Sequence, residues 1–339
     1  MKLSGPMPAP RSDTQIEAEL ATFRACFGEV QKEIQRVIVG QDQIIRYAVM
    51  AVFLQGHVLL EGVPGLGKTL LMNTMGQVLG LGFGRVQFTP DLMPSDITGT
   101  RVLQQEPNGA MRFEFERGPV FTNLLLADEI NRATPKTQSA LLESMQERQV
   151  TIAGVTHILP SPFVVLATQN PLESEGTYPL PEAQLDRFLF KLLIGFPTQL
   201  ELVDILRRTT GTVDGPPQRV VEDPSRISHW SRLLRHVPIA APTLEFAARL
   251  LLATHPRDGG AKDSPARWIR FGASPRGLQA MVLAAKLGAV LDGRFAVSRQ
   301  DLIDVAKPCL RHRLLLSFEA ESEGIRPDTV LDQIVQRLG

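Results

Sequence analysis

Residues 62–69 read Gly-Val-Pro-Gly-Leu-Gly-Lys-Thr: a glycine, four further residues, then Gly-Lys-Thr. This spacing constrains the chain more than any other feature, because it is the pattern of a loop that wraps phosphates. Glycines let the backbone curl until successive N–H groups point inward, and the following helix adds the positive end of its dipole. Lys68 then reaches the terminal phosphates, and the Thr69 hydroxyl holds a magnesium ion. The candidate cradle comprises Gly62, Pro64, Gly65, Leu66, Gly67, Lys68, Thr69 and Leu70. Its flanks agree, since residues 57–61 read as a short buried strand and 70–75 as a helix. A glycine-rich turn with an incidental lysine is the competing reading.

A chain of 339 residues is long for one domain, so two are expected, and an apolar share of 43% supplies an ordinary core. The formal net charge is zero, which gives no support to a basic surface holding nucleic acid non-specifically. Cys26 and Cys309 lie far apart and form no metal-ligand spacing, as expected in a reducing compartment. No apolar run reaches the length of a membrane span, and the N-terminus does not read as a signal peptide. A cytoplasmic protein is the expectation.

Residues 1–13, with Pro6, Pro8 and Pro10, read as a flexible lead-in. Residues 14–55 carry helical spacing interrupted at Val39-Gly40-Gln41. Strands are predicted at 57–61, 85–89, 124–128, 163–168 and 190–194, alternating with helical runs. That alternation predicts an α/β unit over 14–210, a parallel five-stranded sheet covered by helices on both faces. Two hairpins interrupt it, 101–105 with 111–116 across Pro107-Asn108-Gly109, and 149–152 with 156–159 across Gly154. After a helix at 200–208, the linker 211–223 leads into residues 224–339. Helices are predicted there at 224–237, 243–254, 275–291, 298–315 and 327–338. Ser274 suits an N-cap and Pro275 the first helical position, so Arg276 projects from a helix start.

The second chemical signal is Asn123-Leu-Leu-Leu-Ala-Asp-Glu129, an apolar strand ending in two carboxylates, which is a Walker B pattern. Such a strand delivers Asp128 to the magnesium and places Glu129 to polarise the attacking water as general base. A buried strand running into an acidic helix cap is the alternative.

Here the chain resembles the AAA+ ATPases, and within them the MoxR family. The residues carrying the resemblance are the loop at 62–69, Asp128-Glu-Ile-Asn-Arg-Ala133, Pro135-Lys-Thr-Gln138, Ala167-Thr-Gln-Asn-Pro171 and Leu185-Asp-Arg-Phe188. The fold implied is a P-loop NTPase αβα sandwich followed by an all-α lid. Asn170 resembles the sensor 1 residue that orients water with Glu129, with a plain turn-starting asparagine as its alternative. Arg187 resembles the arginine finger offered to a neighbouring subunit's nucleotide, where spread positive charge stabilises the transition state. A salt bridge with Asp186 or Glu182 is the competing role. Arg276 resembles sensor 2, reporting from the lid to the phosphates; a surface arginine is disfavoured at a helix start unless an anion is near. Val39, Gly40 and Gln41 resemble the turn that closes over the adenine. Arg132 belongs to the family block without an assignable role.

The two hairpins resemble the inserts of the helix-2-insert branch of AAA+ proteins, whose loops commonly line a ring's central face. The first hairpin includes Arg101, Arg112 and Arg117 but also Glu106, Glu114 and Glu116, and this mixed charge favours a protein-facing surface over a phosphate track, with a solvated hairpin without a partner as the alternative. The resemblance implies ATP and Mg2+ as cofactors and a homo-oligomeric ring, a hexamer in the family. It also implies a client protein or a partner carrying a von Willebrand factor A domain. Rival readings are a nucleic-acid-dependent motor and a nucleotide-gated scaffold with little turnover; intact Glu129 argues against the second.

Overall fold

The computed structural model describes residues 13–338 except 64, 106, 108–109, 171–175, 212–214 and 257–263. Pro64, Glu106, Asn108-Gly109, Pro171, part of the linker and residues 1–12 of the lead-in therefore lie outside the described residues.

The chain opens with α1 (Asp13–Val37), whose Ile16, Leu20, Phe23, Phe27, Val30 and Ile34 recur every three or four residues and are all buried. A left-handed turn at Gly40 and Gln41 separates it from α2 (Asp42–Leu54). There follow β1 (Val58–Glu61), α3 (Lys68–Leu79), β2 (Phe83–Gln87), the short α4 (Pro94–Thr98) and the hairpin β3 (Gly99–Gln105) and β4 (Met111–Arg117). Next come β5 (Leu124–Asp128), α5 (Pro135–Glu147), the hairpin β6 (Gln149–Ile152) and β7 (Val155–Ile158), β8 (Val164–Gln169), α6 (Glu182–Leu185) and β9 (Phe190–Leu193). Beyond them α7 (Gln199–Thr210) leads to α8 (Ser225–Leu234), α9 (Ala241–Leu252), β10 (Ile269–Phe271), α10 (Pro275–Leu291) and α11 (Arg299–Leu310). The chain closes with β11 (Leu315–Leu316), α12 (Phe318–Ser322) and α13 (Pro327–Leu338).

Five strands form one parallel sheet in the order β2-β5-β8-β1-β9. Val58 and Leu60 pack with α1, α2 and α3, while Leu59 points to the opposite face with α5. Both faces are covered, so the strands read as continuous apolar runs rather than alternating ones. The first apolar core continues without a break into the C-terminal helices through Trp230, Phe246 and Met281.

The C-terminal part is not purely helical. The helix expected to reach residue 315 stops at Leu310, and Leu315–Leu316 pairs antiparallel with Ile269–Phe271. Arg311 is tied to Asp328 at 2.7 Å and Arg313 to Asp186 at 2.8 Å, anchoring the chain where the helix ends. In the second hairpin both Ala153 and Gly154 have positive φ, so the connection is a two-residue turn and the return strand starts one residue earlier than expected. Phe115 of β4 stacks on His157 of β7 at 4.1 Å, fastening the two hairpins together. Among the described residues no helix is long and apolar enough to cross a membrane.

His57 locks three elements behind the sheet. Its Nδ1 accepts from Val165 N at 3.0 Å, which leaves Nε2–H to donate to the Met145 carbonyl at 3.1 Å. Burial, aided by the Arg148 charge, pushes its pKa from 6.5 down to about 3. The folded state binds this proton less readily than the unfolded state, so the stabilisation is complete above pH 6.5 and is lost as pH falls toward 3. His57 is expected to contribute a loss of about 2 kcal/mol between pH 7 and pH 5. Urea titrations at the two pH values should show a shallower loss for His57→Gln than for the wild type, together with lower stability at pH 7.

Candidate nucleotide site

Parallel pairing ends β1, β5 and β8 at a common edge, and the loops leaving them converge on a cavity of about 430 Å³. The Gly62 amide donates to the Gln169 carbonyl at 3.2 Å. A Cβ at Gly62 would lie 2.9 Å from Ile194 Cβ, so a glycine is needed where the loop passes the end of β9. Gly65 and Gly67 have φ of 84° and 75°, and Gly67 caps α3. Left-handed backbone followed by a helix N-terminus is the arrangement that presents amides to an anion. Lys68, Thr69 and Leu70 form the first turn of α3 and line the cavity. The Lys68 ammonium donates to the Gly62 carbonyl at 2.8 Å; burial lowers its pKa, and Asp128 and Glu129 oppose that shift.

Asp128 and Glu129 enter from β5, and their surroundings go beyond what the sequence showed. Thr168 Oγ1 donates to Asp128 Oδ1 at 2.6 Å and accepts from the Glu129 amide at 2.8 Å, so one hydroxyl on β8 positions both acidic residues. Arg85 donates to Asp128 Oδ2 at 2.8 Å. Glu129 adopts φ 57°, ψ 50°, a left-handed conformation that costs a non-glycine residue about 1 kcal/mol. This turns its carboxylate off the strand line to accept from Gln87 Nε2 at 2.6 Å and Arg132 Nη1 at 2.9 Å. Arg132, without a role in the sequence, is thus an ion-pair partner of Glu129. Arg85 and Gln87 belonged to no motif, and Thr168 stood in the Ala167–Pro171 block without a role of its own. The local signal for the first two was their i, i+2 spacing, which puts both on one face of β2, and for Thr168 its place two residues before Asn170.

Asn170, 7% exposed, follows β8 and lines the same cavity. The turn at Val39, Gly40 and Gln41 lies beside it, with Gln41 Nε2 donating to the Leu66 carbonyl at 3.3 Å. A Cβ at Gly40 would sit 2.1 Å from Glu201 Oε1, so α7 closes over this turn. None of these three residues lines the cavity itself.

Arg187 and Arg276 lie elsewhere. Both line a second cavity of about 310 Å³, together with Arg148 and Arg313, and Asp186 is the one carboxylate among the described lining residues. Arg187 donates to the Leu142 carbonyl at 2.7 Å, while its Nε is buried without a partner among the described residues. Asp186 is occupied by Arg313 and by Ser274 Oγ at 2.7 Å, so it is not the partner of Arg187. Ser274 also caps α10, accepting from the Arg276 amide at 3.1 Å. Asp186 therefore ties the segment carrying Arg187 to the helix start carrying Arg276. Within one chain neither arginine lines the P-loop cavity, because α10 packs with α9 and α11 and starts beside Asp186.

Thr69 and Asp128 bring oxygen donors to the P-loop cavity, which suits a hard divalent cation such as magnesium. No cluster of three or more His, Cys, Asp or Glu side chains occurs among the described residues.

Comparison with known proteins gives the same reading. The model of the ATPase family associated with various cellular activities (AAA) matches residues 57–190, and that of the AAA lid domain matches 266–334. Chaperone MoxR1 of Mycobacterium tuberculosis is 46% identical over 95% of this chain and 83% of its own length. Protein MoxR of Methylorubrum extorquens is 32% identical over 93% of this chain and 95% of its own. A solved structure from Cytophaga hutchinsonii, provisionally assigned as an ATPase, superposes with a TM-score of 0.88 at 39% identity, covering 96% of this chain and 98% of that one. The two family models match the sheet-bearing part and the C-terminal helical part in turn, the relatives match over nearly the whole sequence, and the chain belongs to the MoxR family of AAA+ ATPases.

Proposed function

We propose that this protein hydrolyses ATP as one subunit of a closed ring, a hexamer by family likeness, and uses the cycle to remodel, assemble or activate a client protein complex. The observation that carries this reading is the separation of Arg187 and Arg276 from the P-loop cavity. Four arginines face one carboxylate in their cavity, and that carboxylate, Asp186, is already held by Arg313 and by the Ser274 cap of α10. A neighbour's triphosphate is an anion of the right kind, and each site would then be built by two chains.

In this reading the loop amides and Lys68 bind the β- and γ-phosphates, and Lys68 gives up the Gly62 carbonyl to do so. Magnesium bound through Thr69 and Asp128 would neutralise developing charge on the phosphate oxygens. Glu129 accepts the proton of the attacking water once its carboxylate leaves Gln87 and Arg132, and Asn170 orients that water. Arg187 and Arg276 of the adjoining chain stabilise charge on the transferring group.

Surface chemistry supports a protein partner. Leu103, Met111 and Phe113 alternate onto one side of the first hairpin and are 50%, 60% and 58% exposed, which suits a protein client better than a nucleic-acid backbone. Family likeness supports a partner with a von Willebrand factor A domain and a cytoplasmic setting.

Steady-state phosphate release should fall at least about 100-fold in Glu129→Gln while nucleotide binding persists; equal rates in mutant and wild type would sink the hydrolysis assignment. Lys68→Ala and Arg187→Ala, each inactive alone, should regain part of the activity when mixed, because some junctions then pair an intact P-loop with an intact arginine. No recovery from mixed, co-assembled subunits would exclude action across subunits. Thr168→Val removes the hydroxyl holding both acidic residues, so kcat should drop about 10- to 100-fold. A change in KM alone would instead assign Thr168 to nucleotide binding.

A further inference from the structure

Helix α7 is amphipathic, yet among its described residues no side chain is buried. Leu200, Leu202, Val203 and Leu206 fall within one arc of the helix and are 83%, 37%, 40% and 59% exposed. A helix of 12 residues is marginal without tertiary packing of its apolar face. Here it is held from its ends instead, by the Thr198–Glu201 capping box and by Arg208 donating to the carbonyls of Gln35 and Arg36. The apolar face is left open.

A second apolar feature occupies another part of the molecule. A groove of about 550 Å³ is lined by Leu185, Phe271, Leu314 and Leu315, with the exposed Glu182 and Arg270. Phe271 is 61% exposed, and Phe318, just beyond β11, is 82% exposed. Asp186 and Arg313 line both this groove and the basic cavity of Arg187 and Arg276. On the other side, α7 adjoins the P-loop: Glu201 packs on Gly40, and the neighbouring Gln41 is bonded to Leu66.

We infer that the α7 face of one subunit seats in the Phe271–Leu315 groove of the next copy of this chain. Each apolar patch borders one half of the divided nucleotide site, so joining the patches brings a P-loop cavity against a neighbour's basic cavity. One opposite-charge pair is available across the contact, in a groove that Arg270 also borders. Arg207 lies within the α7 arc and Glu182 beside the groove; both are exposed, and neither has an ion-pair partner among the described residues. Because the two patches differ, the contact is head-to-tail and repeats around a ring instead of closing a two-fold dimer. The inference rests on the ring reading above and specifies which surfaces form the junction.

The test uses the full-length chain with ATP and the hydrolysis-blocking Glu129→Gln change. Leu200→Cys and Phe271→Cys are prepared separately, then mixed under mild oxidation, with light scattering reporting assembly. A covalent dimer should form in the mixture and in neither variant alone. Leu200→Asp/Leu206→Asp should weaken assembly about tenfold or more and leave the thermal midpoint of the monomer unchanged, since both positions face solvent. Rings that form without mixed cross-linking, and that persist in the double aspartate variant, would overturn the docking inference and leave the ring reading standing. A wild-type chain that stays monomeric with every nucleotide would overturn both.

Discussion

Parallel pairing of β1 with β8 and of β8 with β5 is the constraint on which the site depends. It ends three strands at one edge, so that the phosphate loop, the paired carboxylates and Asn170 surround a common space although they are far apart in sequence. The hydroxyl of Thr168 completes the alignment by binding Asp128 and the Glu129 amide together. A buried sheet leaves little freedom for that register, because a one-residue slip would move every side chain to the opposite face. The left-handed backbone at Glu129 is tolerated within this frame, and its strain aims the carboxylate across to β2.

The same frame separates charge. Acidic residues and loop amides gather at the sheet edge, and arginines gather around Asp186 where the helical part meets the segment after α6. Asp186 is the mechanical link, since it binds Arg313 and the Ser274 cap of α10. A shift of the C-terminal helices would therefore move Arg187 and Arg276 together. In the proposed cycle, such coupling would convert a change at a phosphate into movement of one layer against another.

Much of the fold was legible in local spacing. The five sheet strands, both hairpins and the helices at 275–291 and 327–338 follow from apolar period and from caps such as Ser274-Pro275. The end of α11 was not legible, because the residues that hold the chain there, Asp186 and Asp328, are distant in sequence. The two-residue turn at Ala153-Gly154 was half visible: the glycine announced it, whereas alanine in the left-handed region carries no compositional mark.

By itself the sequence determined the chemistry of the phosphate loop, the two carboxylates at a strand end and the family, since these depend on groups within a few residues of one another. Tertiary structure alone decided which side chains hold those carboxylates. Arg85 and Gln87 meet Asp128 and Glu129 across 43 and 42 residues, and only strand register brings them together. It also decided that Arg276 stands with Arg187 and away from Lys68, because a helix start can be read from local caps but the surface it faces is set by how whole layers pack.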